Sequence, residues 1–538
     1  MQRYRRPFVA FLCILLSSGT SGFVFASDGV KSDPTLVTTD RGAIRGTIVQ
    51  DVLQFRGIPY AASPSGELRW KLPVPHAAWN GVLDASHFGP GCPQVARYGL
   101  TEAGYNEDCL SLNVTVPYKQ NAPGKKLPVI VWIYGGAFVG GSSSLYDLTH
   151  WAKLGSVVLV SINYRLGVFG FMAHPAFDAN ANGEFGQADQ REALRWVKRN
   201  IAAFGGDENN VTLAGESAGA ASTCFQMLAP EAAKGLFHKA IIQSAGCAMH
   251  LRTISESNVV GEKVAAAVGC ADSANALSCM KSKPVKELLE AGSKVAGSDI
   301  MTFAPSVGTA AVPLQGAEAM SSGKFIHVPL MNGGDKVELR LYVAYAAQAG
   351  KHVTPENYAE TIRTVYGDKT PQVLAEYPLS HFSSAPSAFG SIMSDFTPVN
   401  GLNNCLYLKA AKLASKYIKV YEFEFADPNP PPVTADPGFE MGAVHSSELP
   451  YQFPNFSNTT KMDGPNLTPG AQKLSDVMLT AWSRFAWTGV PQAKEIPAWT
   501  PFESPSHIMR FQQGELGYFD ANAEHHCAFW KNLYPALL

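Results

Sequence analysis

Between residues 129 and 243 the chain alternates between two hydrophobic patterns, and that alternation restricts the folds open to it. Val129-Ile130-Val131-Trp132-Ile133 and Val157-Val158-Leu159-Val160-Ser161-Ile162 are short apolar runs rich in β-branched residues. Runs of this kind, bounded by glycine or a polar turn, fit strands buried on both faces. The segment Gln187 to Phe204 instead places Ala193, Leu194, Val197, Ile201 and Phe204 at spacings of three and four, as in a helix with one face on a core. Val211-Thr212-Leu213-Ala214 then reads as a strand, Ala218 to Leu228 as a helix and Lys239-Ala240-Ile241-Ile242-Gln243 as another strand. Strand and helix in alternation predict an α/β fold, with a mostly parallel central sheet flanked by helices.

The 538 residues are 46% hydrophobic and 16% charged, which supplies a large core and excludes the composition of a disordered chain. A formal net charge of −2 offers no footprint for nucleic acid or an anionic membrane, and so argues against a polyanionic partner. A prior of roughly 150 residues per domain would give three or four domains. The chemistry-bearing segments described below, however, run from residue 134 to residue 445, and a boundary among them would cut one site. The Pro-rich stretch Asp427-Pro428-Asn429-Pro430-Pro431-Pro432 is short and reads as a rigid loop. The expected organisation is one domain over residues 27–538.

Residues 1–26 read as a signal peptide. Arg3, Arg5 and Arg6 form a basic start, Phe8 to Leu16 an apolar run, and Val24-Phe25-Ala26 a small-residue cleavage site. About 20 apolar residues are needed to span a bilayer, and this run is broken at Ser17-Ser18-Gly19. No later stretch is long and apolar enough, so the expectation is a secreted or periplasmic protein without an integral membrane segment. Of nine cysteines, Cys13 leaves with the signal and eight remain, an even number that suits an oxidising compartment. Spacing alone does not pair them. Cys92 and Cys109, and Cys270 and Cys279, stand close enough to close short loops, while Cys405 and Cys527 would tie the last segment back to the body. No C-x-x-C occurs, and neither a metal nor a cofactor is expected.

The chemistry starts at Gly215-Glu216-Ser217-Ala218-Gly219, which follows a predicted strand and precedes a predicted helix. A G-x-S-x-G pentapeptide is common by itself, but this strand-turn-helix setting is the one in which its serine is presented as a nucleophile. The glycines allow a turn too sharp for side chains, and Ser217 projects from its tip beside a helix N-terminus that favours developing negative charge. A glycine-rich turn with an incidental serine would explain the glycines and leave the Ser unexplained. Tyr134-Gly135-Gly136-Ala137-Phe138 follows the strand Val129 to Ile133 and offers bare backbone N–H groups. Those of Gly136 and Ala137, with that of Ala218, make a three-donor oxyanion hole. A serine hydroxyl also needs a histidine base, and the base a carboxylate. Among thirteen histidines His445 stands out, late in the chain behind the loop Gly438 to Gly442, in keeping with the order Ser, acid, His.

At this point the chain resembles a known family over nearly its whole mature length. Phe55-Arg56-Gly57-Ile58-Pro59-Tyr60-Ala61, Glu107-Asp108-Cys109-Leu110-Ser111-Leu112-Asn113, Asn163-Tyr164-Arg165-Leu166-Gly167-Val168-Phe169-Gly170-Phe171, Phe204-Gly205-Gly206-Asp207 and Gly442-Ala443-Val444-His445 are similar to signatures of the type B carboxylesterases, which include the cholinesterases. The resemblance implies the α/β-hydrolase fold and a serine esterase that forms an acyl-enzyme on Ser217 and hydrolyses a small-molecule ester. It also implies the acid. The family's G-T-N-x-x-E-G segment matches Gly333-Gly334-Asp335-Lys336-Val337-Glu338-Leu339, which assigns Glu338, with Asp335 as the competitor. Its oxyanion donors fall on Gly136, Ala137 and Ala218, with Ala137 in place of a more common Gly. Its disulfides fall on Cys92 with Cys109, Cys270 with Cys279, and Cys405 with Cys527. Cys224 and Cys247 receive no assignment and are left as buried thiols or an extra bridge.

The substrate is less legible. Cholinesterases hold a quaternary ammonium over a Trp in the loop between their first two cysteines. The Cys92–Cys109 loop here has no Trp, which discounts a choline ester, and offers Tyr98 and Tyr105 as pocket or packing residues. Two alternatives stand beside the esterase: a lipase acting on longer acyl chains, and an inactive binding protein of the kind the family also contains. A metallohydrolase would need an H-E-x-x-H segment, which is absent. The adjacent His525 and His526 read as a solvated pair near the C-terminus.

Overall fold

The apolar runs of the central segment occupy the middle of one eleven-stranded sheet in the computed structural model, which describes residues 33–95, 104–118, 125–272, 274–459 and 461–538. In chain order its strands are β1 (Thr47–Val49), β2 (Val52–Pro59), β3 (Ser111–Pro117), β4 (Leu127–Ile133), β5 (Val158–Ile162), β6 (Gly206–Glu216), β7 (Lys239–Gln243), β8 (Leu330–Asp335), β9 (Val420–Phe425), β10 (Ile508–Gln512) and β11 (Glu515–Phe519). Their order in space is β11-β10-β9-β8-β7-β6-β4-β5-β3-β2-β1. From β10 across to β5 every pairing is parallel, and the edge pairs are antiparallel. A row of opposed residues, Ile133, Gly215, Ile242 and Asn332, crosses β4, β6, β7 and β8, so these strands end together on one edge.

Every residue of β4, β5 and β7 is buried, as expected of β-branched strands covered by helices on both faces. Helix α1 (Phe185–Asn200) stops short of the predicted Phe204. Its last residues tighten into a 3-10 turn, Ile201–Phe204, closed by Gly205 in the left-handed region at φ 81°. Helix α2 (Ala218–Met227) packs on β6 and β7. Helix α3 (Pro469–Thr488) lies over β4 and β6, capped by the Thr468 side chain, which accepts from Ala471 N, and ended by Gly489. A separate three-stranded sheet is made by Leu36–Thr38, Ala43–Arg45 and Val82–Asp84. Residues Thr35–Leu538 form one compact unit.

Disulfide bonds join Cys92 to Cys109, Cys270 to Cys279 and Cys405 to Cys527, the three pairings implied by the resemblance. A fourth joins Cys224 to Cys247, so these two are a bridge and not free thiols. The signal-peptide segment 1–26, with Cys13, lies outside the described residues, as does Tyr98. Among the described residues no helix is long and apolar enough to cross a membrane.

Candidate active site

Because β4, β6, β8 and β9 run parallel, the loops that leave them converge at one edge of the sheet. The segment after β4 carries Gly136 and Ala137, the turn after β6 carries Ser217, the turn after β8 carries Glu338, and the long loop after β9 carries His445. Residues separated by more than 300 positions in the chain are thereby gathered at one place.

Ser217 has φ 55° and ψ −122°, a strained conformation for a residue with a side chain. The neighbours over-determine it. Its N–H donates to Gln243 O at 2.9 Å, and its carbonyl accepts from Ala221 N at 2.8 Å in the first turn of α2. A Cβ at Gly219 would come within 1.9 Å of Ile133 O, so only glycine lets α2 start so close to β4. Ala137 and Phe138 are also left-handed, at φ 52° and 62°. This pair turns the chain after β4 so that Ala137 lines both pockets beside Ser217, the one shared with Ala218 and the other with Gly136.

His445 is buried, and its ring bridges two partners. Nδ1 lies 2.6 Å from Glu338 Oε2, and Nε2 lies 2.8 Å from Ser217 Oγ. A carboxylate only accepts, so Nδ1 carries the hydrogen, and the Nε2 lone pair is left for the Ser217 hydroxyl. Glu338 is itself fixed. Its Oε1 accepts from Asp335 N at 3.0 Å and from Tyr407 Oη at 2.9 Å, and its carbonyl accepts from His445 N at 3.1 Å. Asp335, the competing acid, faces elsewhere: its Oδ2 accepts from Ser447 N at 3.3 Å.

Four carboxyl groups, Glu216, Asp335, Glu338 and Glu448, are buried around this histidine. Burial pushes Glu216 up to about 8 and Glu448 up to about 7. Burial, with Glu448 and Glu338 nearby, drives Asp335 well above the usual carboxylate range. Burial works to lower the pKa of His445, but the charges of Glu216 and Glu338 overcome it and carry it up to about 9. Glu216 Oε1 stands 3.3 Å from His445 Nε2 and accepts from Ser446 Oγ at 2.8 Å. A protonated Glu216 exerts no such attraction, so His445 is the free base most readily when Glu216 keeps its proton.

Ser217 stands where two pockets meet. One, of about 620 Å³, is walled by apolar groups including Ala221, Phe225, Met249, Leu251 and Met301. The other, of about 440 Å³, includes His445, Glu216 and Ser446 with the rings of Tyr146 and Phe456.

A model of the Carboxylesterase family matches residues 33–530. The chain belongs to the carboxylesterase family. Fumonisin B1 esterase of Sphingopyxis macrogoltabida is 33% identical over 498 residues, covering 89% of this chain and 87% of the relative. Para-nitrobenzyl esterase of Bacillus subtilis is 32% identical over 477 residues, covering 86% and 91%. The solved structure of a thermophilic PNB esterase, 30% identical, matches with a TM-score of 0.77 over 92% of this chain and 99% of its own. This carboxylesterase has the α/β-hydrolase fold, and its relatives support carboxylic ester hydrolysis as its chemistry.

Several residues of this carboxylesterase carry more than their sequence suggested. Glu216 enters the sequence reading only as a filler of the pentapeptide, and Glu448 does not enter it. Glu448 Oε1 accepts from Gln243 Nε2 at 3.0 Å, and its charge reaches His445 only through space. Tyr105 is exposed and lines neither pocket. His525 and His526 are not a solvated pair. His525 is buried between Asp395 and Glu424, and His526 is paired with Glu376 at 2.6 Å. The C-terminal helix, tied by Cys405–Cys527, folds His525 inward onto those acids.

Proposed function

We propose that this chain is an exported serine carboxylesterase in which Ser217, His445 and Glu338 form the catalytic triad of a single domain over residues 27–538. The observation that carries the reading is the unbroken line from Glu338 through His445 to the Ser217 hydroxyl, at 2.6 and 2.8 Å, at the junction of two pockets. Ser217 gives its proton to His445 Nε2 and attacks the ester carbonyl. The oxyanion is held by the N–H groups of Gly136, Ala137 and Ala218. Collapse of the tetrahedral species expels the alcohol, which takes the proton from His445, and leaves an acyl-enzyme on Ser217. Water activated by His445 then repeats the sequence and releases the acid.

The proton route orients the substrate. The leaving alcohol must lie within reach of His445 Nε2, and His445 lines the smaller pocket and not the larger one. The alcohol portion therefore occupies the pocket of Glu216, Tyr146 and Phe456, and the acyl portion the apolar pocket. A wall of Ala221, Phe225, Met249, Leu251 and Met301 favours an apolar acyl group, a property shared with the lipase alternative. Export rests on the signal-peptide pattern of residues 1–26 and on eight cysteines joined as four disulfides.

Ser217→Ala is the test. Turnover of a p-nitrophenyl ester should vanish while the unfolding midpoint stays within a few degrees of the parent, and an organophosphate should label Ser217 alone. Turnover at the parent rate would reject the nucleophile, and an unlabelled, inert parent would point to a binding protein.

A further inference from the structure

The Cys224–Cys247 bridge lies outside the three pairings that the family resemblance implies, and both of its residues wall the apolar pocket beside Ser217. Cys224 is on α2, whose pocket-facing residues Ala218, Ala221, Cys224 and Phe225 recur at helical spacing directly behind the nucleophile. Cys247 belongs to the segment after β7, which begins with Ser244 in the left-handed region at φ 60°. This segment packs closely on its neighbours. Gly246 packs on Gly401, where a Cβ would come within 2.4 Å of Gly401 O, and Cys247 O sits 2.0 Å from where a Cβ of Gly316 would stand. These contacts hold the segment closely at Gly246 and Cys247, and the disulfide ties it to α2. Both cysteines are buried, so the cross-link is part of the wall and not a surface staple.

We infer that the Cys224–Cys247 disulfide is a specificity-determining element that fixes the width of the acyl pocket. The inference rests on the assignment of the apolar pocket to the acyl group made above. A covalent S–S bond holds two sulfurs about 2 Å apart, whereas unbonded heavy atoms stand roughly 3.5–4 Å apart. Linked sulfurs therefore occupy less of the wall than two thiols would, and more than two methyl groups. Helix α2 also carries the Ala218 N–H, so the same cross-link sets the pocket wall relative to the oxyanion donors. Width at this point discriminates between narrow and branched acyl groups, and one methylene in such a pocket is worth roughly 10- to 200-fold in selectivity.

The experiment compares kcat/KM for p-nitrophenyl pivalate and p-nitrophenyl acetate on the full-length protein. In the double variant Cys224→Ala/Cys247→Ala the pivalate-to-acetate ratio should rise about tenfold, because two sulfurs leave the wall. In the parent opened by trimethylphosphine, with both thiols identified by alkylation and mass spectrometry, the ratio should fall, because the parted sulfurs need more room. The double variant Cys270→Ser/Cys279→Ser loses a cross-link outside the pocket and should keep the parental ratio within twofold. A ratio within twofold of the parent in the Ala variant, or in the opened parent if that variant does not fold, overturns the inference. So does the absence of a Cys224–Cys247 peptide from a non-reduced digest. Turnover that survives Ser217→Ala instead overturns the reading of the site on which the inference rests.

Discussion

His445 and His525 are both buried beside carboxylates, and the electrostatics of their surroundings are alike. Burial works to lower each pKa, and the acids overcome it, to about 9 at His445 through Glu216 and Glu338 and to about 10 at His525 through Glu424 and Asp395. The hydrogen bonding separates them. At His525 both ring nitrogens are spent on acids, Nδ1 on Asp395 at 2.6 Å and Nε2 on Glu424. Glu424 is shared with Arg510, whose Nη2 donates to it at 2.7 Å, and Asp395 with the hydroxyl of Tyr377 at 2.9 Å. At His445 Nδ1 is spent on Glu338, while Nε2, with Glu216 Oε1 at 3.3 Å, makes its shorter contact with a serine hydroxyl that opens onto two pockets. A perturbed pKa marks both places, and only the serine hydroxyl on Nε2 separates the proposed base from a structural cross-brace.

The sharpest way to break this comparison is to remove each ring. His445→Ala should lower kcat by a factor on the order of 10⁴ or more, and His525→Ala by less than tenfold, measured on the same p-nitrophenyl ester. Equal losses would mean that the distinction drawn from the Ser217 contact is wrong. Next in size is the choice of acid. Glu338→Gln should cost about 10³- to 10⁴-fold in kcat, because the amide no longer holds the Nδ1–H tautomer or stabilises the imidazolium. Asp335→Asn should change kcat by less than tenfold, since Asp335 addresses Ser447 N and not the ring. The reverse pattern would transfer the role to Asp335.

On stability the order inverts. His525→Ala leaves Glu424 and Asp395 buried with one cation fewer, a loss of about 3–5 kcal/mol by denaturant unfolding. The sign of its pH dependence follows from a folded pKa raised above the ordinary 6.5. The stabilisation from His525 is fully present below that value and is lost as pH rises through about 10. The parent should therefore lose stability between pH 7 and 10 more steeply than the variant. Parallel pH profiles would assign the brace to Arg510 and not to His525.

The same contrast explains what was legible in the sequence. Strands β4 and β7 were readable because β-branched runs buried on both faces look alike in any parallel sheet, and Lys239–Gln243 ends where predicted. Ser217 was readable because its turn needs glycines at fixed places. Glu338 was not readable without the family resemblance: nothing local separates it from the other 44 of 45 acidic residues, and its place depends on how the loop after β8 falls beside Tyr407 and His445. His525 was misread because its partners stand 130 and 101 positions away, and adjacency to the C-terminus suggested solvent. The Cys224–Cys247 bridge escaped for a related reason, since it spans β7, and spacing alone does not tell which segments flanking a strand come together.

The smallest expected effect concerns Glu216, whose Oε1 stands 3.3 Å from His445 Nε2 outside the proposed triad. Its charge raises the pKa of His445, and the acid limb of kcat/KM reports the proton that must leave His445 before it can act as base. Glu216→Gln removes that charge, while its amide oxygen can still accept from Ser446 Oγ and keep the local geometry. The His445 pKa then falls and the acid limb moves to lower pH. The rate change at a fixed pH on the limb is up to about tenfold, one pKa unit being about 1.36 kcal/mol. Glu424→Gln offers the control from the other histidine: it alters the surroundings of His525, and the acid limb of the rate profile should stay where it is. A limb that stays fixed in Glu216→Gln, or moves upward, would mean that the carboxyl is already neutral over the working range. Its 3.3 Å approach to Nε2 would then be a packing contact with no hold on the base.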